Sequence, residues 1–494
     1  MYVKNVEIEN VKSFRKPEKF TLKDGVNFLV GDNNSGKSTL LEAILFLFEG
    51  PSATRWTPDE FYAKDAQGPT RVVADISGGV EYLVQKEKFK KLADFVFDDA
   101  GEKVLRLERS SQEREVQQNG KTKKVNVKSI CFWHPVNQQF ENVTGIDALV
   151  KGMFDFEAVW ANSQPGDTID FGSTKTLGRL LDISFKKFVG TDLWNRLSTA
   201  HEAAFSSAEE GSFVTETAQL AEGIKELVEE QYGSADIRFD FGLPDASIFM
   251  KQGQLQVNDG AGETPVGGKG TGMQRAIALA IIQMYARSSG TLKDVDSKPL
   301  ILMLDEPETW LHPSAQLKLG EALAKIGETE QLFVITHSPY LIRKFDPRHH
   351  LLTVLSGKGE ERKCSSSETF GLFGTGEPTW GEINYKAFEV CSNDFHNELY
   401  GYIQRCLEEQ RCLEEENGGW IGEQAIDDFL SDQGLNKECT WKRNENKEYP
   451  RTLPVYVRNS IHHPENQLNA SVSEFDLQRS TKLLVEIVRK INGR

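Results

Sequence analysis

Gly31, Asn33, Asn34, Ser35, Gly36, Lys37, Ser38 and Thr39, all within the run GDNNSGKST, have the types and spacing to hold a polyphosphate. Gly31 and Gly36 leave backbone N–H groups bare enough to wrap phosphate oxygens, Lys37 can bridge the outer two phosphates, and the Ser38 hydroxyl can ligate magnesium. Hydrolysis of such a ligand needs a carboxylate for the metal, a base for water and a group near the terminal phosphate. The chain offers Asp305 and Glu306 after the apolar run Pro299–Leu304, and His337 after Gln331–Thr336. Asp305 is expected in the metal's shell, Glu306 as the base, and His337 beside the γ-phosphate. ATP and Mg2+ are the expected cofactors.

These residues need elements that bring them together. Val26–Val30 reads as a buried strand and Thr39–Phe48 as an apolar helix, so the glycine loop caps a helix N-terminus, where the dipole favours anions. Pro299–Leu304 and Gln331–Thr336 read as buried strands flanking a helix over Ser314–Ile326. That order predicts a parallel sheet with its polar groups at the carboxyl edge. The predicted fold is α/β, a P-loop head with an inserted α+β lobe and a mainly helical C-terminal region. Residues 1–50 would form the N-terminal part of the head, with alternating strands and a turn at Asp24-Gly25. Residues 51–260 would form the lobe, 261–345 the rest of the head, and 346–494 a region for an effector or for partner docking.

The lobe shows a charged helical stretch from Glu81 to Phe97. A β-hairpin follows, with Val104–Leu107 and Val125–Val127 flanking Asn119-Gly120. Its lysines, Lys121, Lys123, Lys124 and Lys128, read either as a solvated tip or as a nucleic-acid contact. Phe185 to Tyr232 is read as mainly helical, with Ala203, Leu220, Ile224 and Leu227 as buried positions. Further on, helices are expected over Ala276–Ala286, Tyr385–Glu416 and Glu474–Ile491. The hexamer QRCLEE occurs twice, at Gln404–Glu409 and Gln410–Glu415. Six residues do not restore a helical face, so it reads as an insertion on a surface helix.

Composition narrows the functional classes. A chain of 494 residues, 38% hydrophobic and 27% charged, is that of a folded globular protein. A net charge of −16 argues against a uniformly basic nucleic-acid binder. Neither a long apolar span nor a signal peptide is indicated, and the six cysteines lack C-x-x-C spacing, so a cytoplasmic setting without membrane contact is expected.

With these motifs in place, the sequence resembles the ATPase heads of the ABC class, in the branch shared by SMC-like, RecF-like and overcoming-lysogenization-defect (OLD) proteins. IENVKSF at Ile8–Phe14 looks like that branch's opening strand. LDEPETWLHP at Leu304–Pro313 resembles its acidic motif, and ITHSP its histidine switch. GGKGTGMQR at Gly267–Arg275 stands where the family carries its signature loop. The resemblance implies that Gly270, Thr271, Gly272 and Gln274 contact a γ-phosphate bound to another subunit, in a homo-oligomer whose heads sandwich nucleotide. It also implies a metal-sensing glutamine, for which Gln138 and Gln139 are candidates beside a reading as ordinary loop residues.

OLD nucleases carry a TOPRIM metal set, a glutamate near a strand end followed by a D-x-D pair, and no convincing set follows His337. The chain is therefore more similar to stand-alone antiphage ATPases such as PtuA of Septu, and next AriA of PARIS. That resemblance implies a separate nuclease subunit, HNH-type for Septu, through which nucleic acid is reached. Arg458 and His463 in YVRNSIHHPEN resemble the R-x(4–6)-H motif of HEPN ribonucleases. They read either as an RNA-cleaving pair or as structural or partner-docking residues, with Pro464 ending any helix at the motif.

Overall fold

The computed structural model describes the chain except residues 13, 52–68, 119–120, 144, 146, 173–174, 208, 261, 292–297, 358–361, 375–376, 415–420 and 494. It divides into two compact units, residues 1–161 with 298–494, and residues 162–297.

Two sheets form the strand framework of the first unit. One is antiparallel and contains β1 (Tyr2–Glu9), β2 (Glu18–Thr21), β4 (Arg71–Ser77), β5 (Val96–Asp99), β6 (Glu102–Ser110), β9 (Cys131–His134) and β10 (Gln139–Glu141). Its order is β10-β9-β6-β4-β1-β2, with β5 also on β6. The other runs β11 (Asp155–Val159), β14 (Leu300–Asp305), β15 (Gln331–Ile335), β3 (Val26–Gly31), β16 (His350–Ser356) and β17 (Lys363–Ser366). Every pairing in it is parallel except that of β17. Its inner strands β3, β14 and β15 are buried on both faces, which explains their unbroken apolar runs.

Helix Lys37–Glu49 joins the two sheets. It is apolar nearly all round, as a fully covered helix must be, and Leu40, Leu41, Ile44 and Phe48 share one core with Val6, Ile8, Ala74 and Leu107 of the antiparallel sheet and Ile301, Met303 and Phe333 of the parallel one. Buried Arg109 closes its far end, its Nε donating to the Leu47 carbonyl at 2.9 Å and its Nη1 to Val127 at 2.8 Å. A cation there meets the carbonyl end of the helix dipole. Burial lowers this guanidinium's pKa to about 10.

The C-terminal part of the first unit is a helical cluster over Trp380–Phe388, Asn393–Glu414, Glu423–Asp432, Leu453–His462 and Glu474–Ile491. Phe395, Leu399, Ile403, Leu430, Val455 and Leu484 form its core. A hairpin of β18 (Cys439–Asn444) and β19 (Lys447–Arg451) lies in the same region. The final helix has the expected bounds, set by a capping box in which Ser473 and Asp476 exchange hydrogen bonds.

Several sequence boundaries move. Residues 71–161, expected in the inserted lobe, belong to the first unit, because β4, β6 and β9 complete the antiparallel sheet started by β1. Residues 261–297, expected in the head, belong to the second unit. The region expected to be helical from 346 begins with β16, which pairs with β3. The hairpin is formed by β7 (Arg114–Gln118) and β8 (Lys121–Val125), while Val104–Leu107 lies in β6; the turn Asn119-Gly120 lies outside the described residues. Glu81–Phe97 is no long helix, since a 3₁₀ segment Glu87–Phe95 leads into β5. Glu415, the end of the second hexamer, is also outside the described residues.

The second unit holds helices Thr176–Val189, Asp192–Phe205, Ala218–Tyr232 and Thr271–Thr291, with a small pair β12 (Gln256–Asn258) and β13 (Glu263–Pro265). Helicity is as expected, but burial is not. Leu220 (60%), Ile224 (36%) and Leu227 (59%) are exposed, and Ala203 is half-buried. On Ala218–Tyr232 the buried position is Ala221, on another side of the same helix. Periodicity finds a face, and only packing says which face is covered.

Candidate functional site

Parallel register sets the site. Asp305 pairs with Ile335, Ile335 with Leu29, and Gly31 with Leu355, so the carboxyl ends of β14, β15, β3 and β16 arrive at one level. The phosphate loop leaves from the middle of that edge. Gly31 has φ 120, and a Cβ there would stand 1.9 Å from the Leu355 carbonyl oxygen. Gly36, φ 104, would meet the Phe14 ring at 2.6 Å. Both glycines are required by close approach as well as by backbone angle. Asn34 is also left-handed, at φ 63.

A cavity of about 790 Å³ opens here, lined by Asn33 to Thr39, Asp305, Glu306, Ile335 and His337, together with Lys12. Lys37 is only 6% exposed, its Nζ donating to the carbonyls of Gly31 at 2.9 Å and Asp32 at 2.7 Å. Burial lowers its pKa, opposed by Glu306, Asp305 and Asp32. The Ser38 hydroxyl donates to Asp305 Oδ2 at 3.2 Å. Hydroxyl and carboxylate together are hard oxygen donors of the kind magnesium selects. His337 Nε2 lies 3.7 Å from Glu306 Oε1, each side chain 39% exposed. Burial and the nearby Lys37 charge lower the imidazole's pKa against the pull of the two carboxylates, a shift toward the neutral ring. Glu306 has φ 51, a strained conformation for a side-chain-bearing residue, of the sort that clusters at functional sites.

The expected residues divide. Lys37, Ser38, Asp305, Glu306 and His337 meet in one cavity. Gln138 does not join them: it occupies the β9–β10 turn, left-handed at φ 49, and is absent from the cavity's lining. Gln139 is in β10, with its Nε2 on Glu141. Gly270, Thr271, Gly272 and Gln274 belong to the second unit, where Thr271 begins the helix Thr271–Thr291. Gln274 donates to the carbonyl of Lys269 at 2.7 Å and so braces its own loop. Arg458 and His463 have different partners. Arg458 Nη1 donates to Asn459 at 3.1 Å and its guanidinium lies over the Tyr400 ring. His463 sits just past the helix end, with Nδ1 3.3 Å from Glu465. It lines a polar cavity of about 820 Å³ with Trp441, Arg443 and Arg451, and Arg458 is not among the lining residues.

Two residues were missed. Lys12 reaches the cavity from the turn after β1, with a left-handed φ of 48. Glu308, 9% exposed, accepts from the Thr336 hydroxyl and from the His337 backbone N–H, each at 2.8 Å. A second acidic residue two positions after Glu306 was the available signal for the latter.

Residues 1–143 and 191–342 match the sequence profile described as an AAA ATPase domain. The Old nuclease of Escherichia phage P2 is 24% identical over 338 residues, 64% of this chain and 53% of that protein. The DNA double-strand break repair Rad50 ATPase of Methanosarcina acetivorans is 40% identical over 83 residues, 17% of this chain and 7% of its own. The chain thus spans about half of the first relative and a small part of the second. Among solved structures, an SMC head bound to the C-winged helix domain of ScpA aligns over 74% of this chain and 97% of its own, at TM-score 0.43 and 16% identity. No helix among the described residues is long and apolar enough to cross a membrane. By the extent of its profile match and its α/β P-loop architecture, the chain belongs to the AAA ATPase domain family.

Proposed function

We propose that this chain is the ATP-binding and hydrolysing switch subunit of a bacterial antiphage defence complex, acting in the cytoplasm as a homo-oligomer that controls a separate nuclease of HNH type. The observation that carries the ATPase part is the single cavity shared by Lys37, Ser38, Asp305, Glu306 and His337. The resemblance to stand-alone ATPases such as PtuA, and a relative that is itself a nuclease, support the rest.

In this reading the loop N–H groups and Lys37 hold the phosphates. Ser38 and Asp305 would hold Mg2+, which when bound offsets charge on the phosphates. Glu306 orients water and takes its proton, and His337 faces the γ-phosphate as a hydrogen-bond partner. Gly270, Thr271, Gly272 and Gln274 would close the site of a second copy.

The test is reconstitution. Purified chain with ATP should release phosphate, and Glu306→Gln with ATP should shift to a larger species in sedimentation. Adding an HNH nuclease encoded beside this chain should give nucleotide-dependent cleavage. Cleavage by the chain alone, lost in Arg458→Ala or His463→Ala, would replace this reading with a self-contained HEPN-like ribonuclease. DNA-stimulated hydrolysis with tight, salt-sensitive DNA binding would replace it with a RecF-like repair ATPase, a role that the Rad50 segment favours.

A further inference from the structure

Glu308 is a carboxylate buried behind the nucleotide cavity, 9% exposed and not among the residues that line it. Burying a carboxylate is costly unless hydrogen bonds offset it. Here one oxygen, Oε1, receives both the Thr336 hydroxyl and the His337 N–H at 2.8 Å. The other, Oε2, has no hydrogen-bond partner among the described residues. Half of a buried carboxylate is thus committed to the short segment that carries His337.

The same segment is fastened twice more. The Ser338 N–H donates to Thr336 Oγ1 at 2.9 Å, and the Ser338 hydroxyl donates to Gln316 Oε1 at 2.5 Å. Gln316 in turn donates to the Leu311 carbonyl at 2.8 Å. On the other side, the Glu306 N–H donates to the Ile335 carbonyl at 2.9 Å. The run from Glu306 to Gln316 and the run from Ile335 to Ser338 therefore form one closed frame. Its two chemical groups, Glu306 and His337, stand 3.7 Å apart on it.

We infer that Glu308 is a positioning residue for ATP hydrolysis, which holds the backbone of His337 so that the imidazole keeps its place beside Glu306. Its work requires a hydrogen-bond acceptor at Oε1, not a negative charge and not contact with the nucleotide. This rests on the reading of His337 as a hydrolytic group.

A double-mutant cycle on the full chain tests it, with steady-state phosphate release as the readout. Glu308→Ala should lower kcat by about tenfold, leave KM for ATP within about twofold, and add less than about twofold when His337 is already Ala. Glu308→Gln keeps an acceptor oxygen and should retain most of kcat. It also carries the test if Glu308→Ala does not fold. An equal loss from Glu308→Ala in both backgrounds would overturn the inference, as would a Glu308→Gln loss as large as that of Glu306→Gln, which would put the carboxylate in the chemistry. If His337→Ala alone leaves kcat unchanged, the reading of His337 falls and the inference with it.

Discussion

The nucleotide edge of the parallel sheet and the helical C-terminal region relate sequence spacing to spatial proximity in opposite ways. Ser38 and Asp305 share a hydrogen bond across 267 positions. Arg458 and His463, only five positions apart, turn to different carboxylates: Arg458 Nη1 lies 4.0 Å from Glu423, and His463 stands against Glu465. A parallel sheet returns every strand end to one edge, so distant residues meet there. A helix that stops at His462 has no such means of aligning a residue inside it with one beyond its end. A short motif match is therefore weak unless the element beneath it carries both side chains to one place.

The sharpest break of this contrast is at Gly31. Gly31→Ala should part β3 from β16 and leave no functional ATPase, read as loss of both the cooperative melt and phosphate release; a folded, active variant would mean the strand edge tolerates what its geometry forbids. Lys37→Ala should weaken ATP binding by roughly two orders of magnitude, read by equilibrium binding of labelled nucleotide. Glu306→Gln should cut turnover by about a hundredfold while ATP stays bound. Unchanged turnover there would remove Glu306 as the base.

In the C-terminal region the larger effect should concern stability. His396, fully buried with Nε2 2.8 Å from the Ser480 hydroxyl, has its pKa lowered by burial from 6.5 to about 4. The unfolded chain binds this proton more readily than the folded one. Stability from this group is complete above the ordinary histidine pKa and falls as pH drops toward about 4. The loss is about 3 kcal/mol once the pH is below both values. His350 in β16 shows the same shift, to about 4, so both regions contribute to acid lability. His396→Gln should reduce the change in urea midpoint between neutral and mildly acid pH. An unaltered pH dependence would locate that sensitivity elsewhere. Smallest of all, Arg458→Ala and His463→Ala should each leave ATP turnover within about twofold. A larger loss would tie the C-terminal region directly to hydrolysis.

Local chemistry by itself determined a good part of this protein. The loop Gly31–Thr39, the strands ending at Asp305 and His337 and the helix after Lys37 were legible because phosphate binding and two-sided burial demand particular residues in a particular order. The final helix was legible from its apolar run. Other features depended on partners far away in the chain. Nothing near Glu81 or Val104 announces that β4, β5, β6 and β9 finish a sheet begun at Tyr2, since an antiparallel pairing is written in the alternation of both strands and not in either alone. Nor does the spacing of Leu220, Ile224 and Leu227 say whether anything covers them. The tertiary structure alone placed Gln138 in a turn outside the cavity lining, brought Lys12 into that lining, and set Glu308 behind His337. Those outcomes follow from strand register and burial, which are properties of the assembled chain, whereas hydrogen-bonding capacity and apolar character belong to each residue wherever it stands.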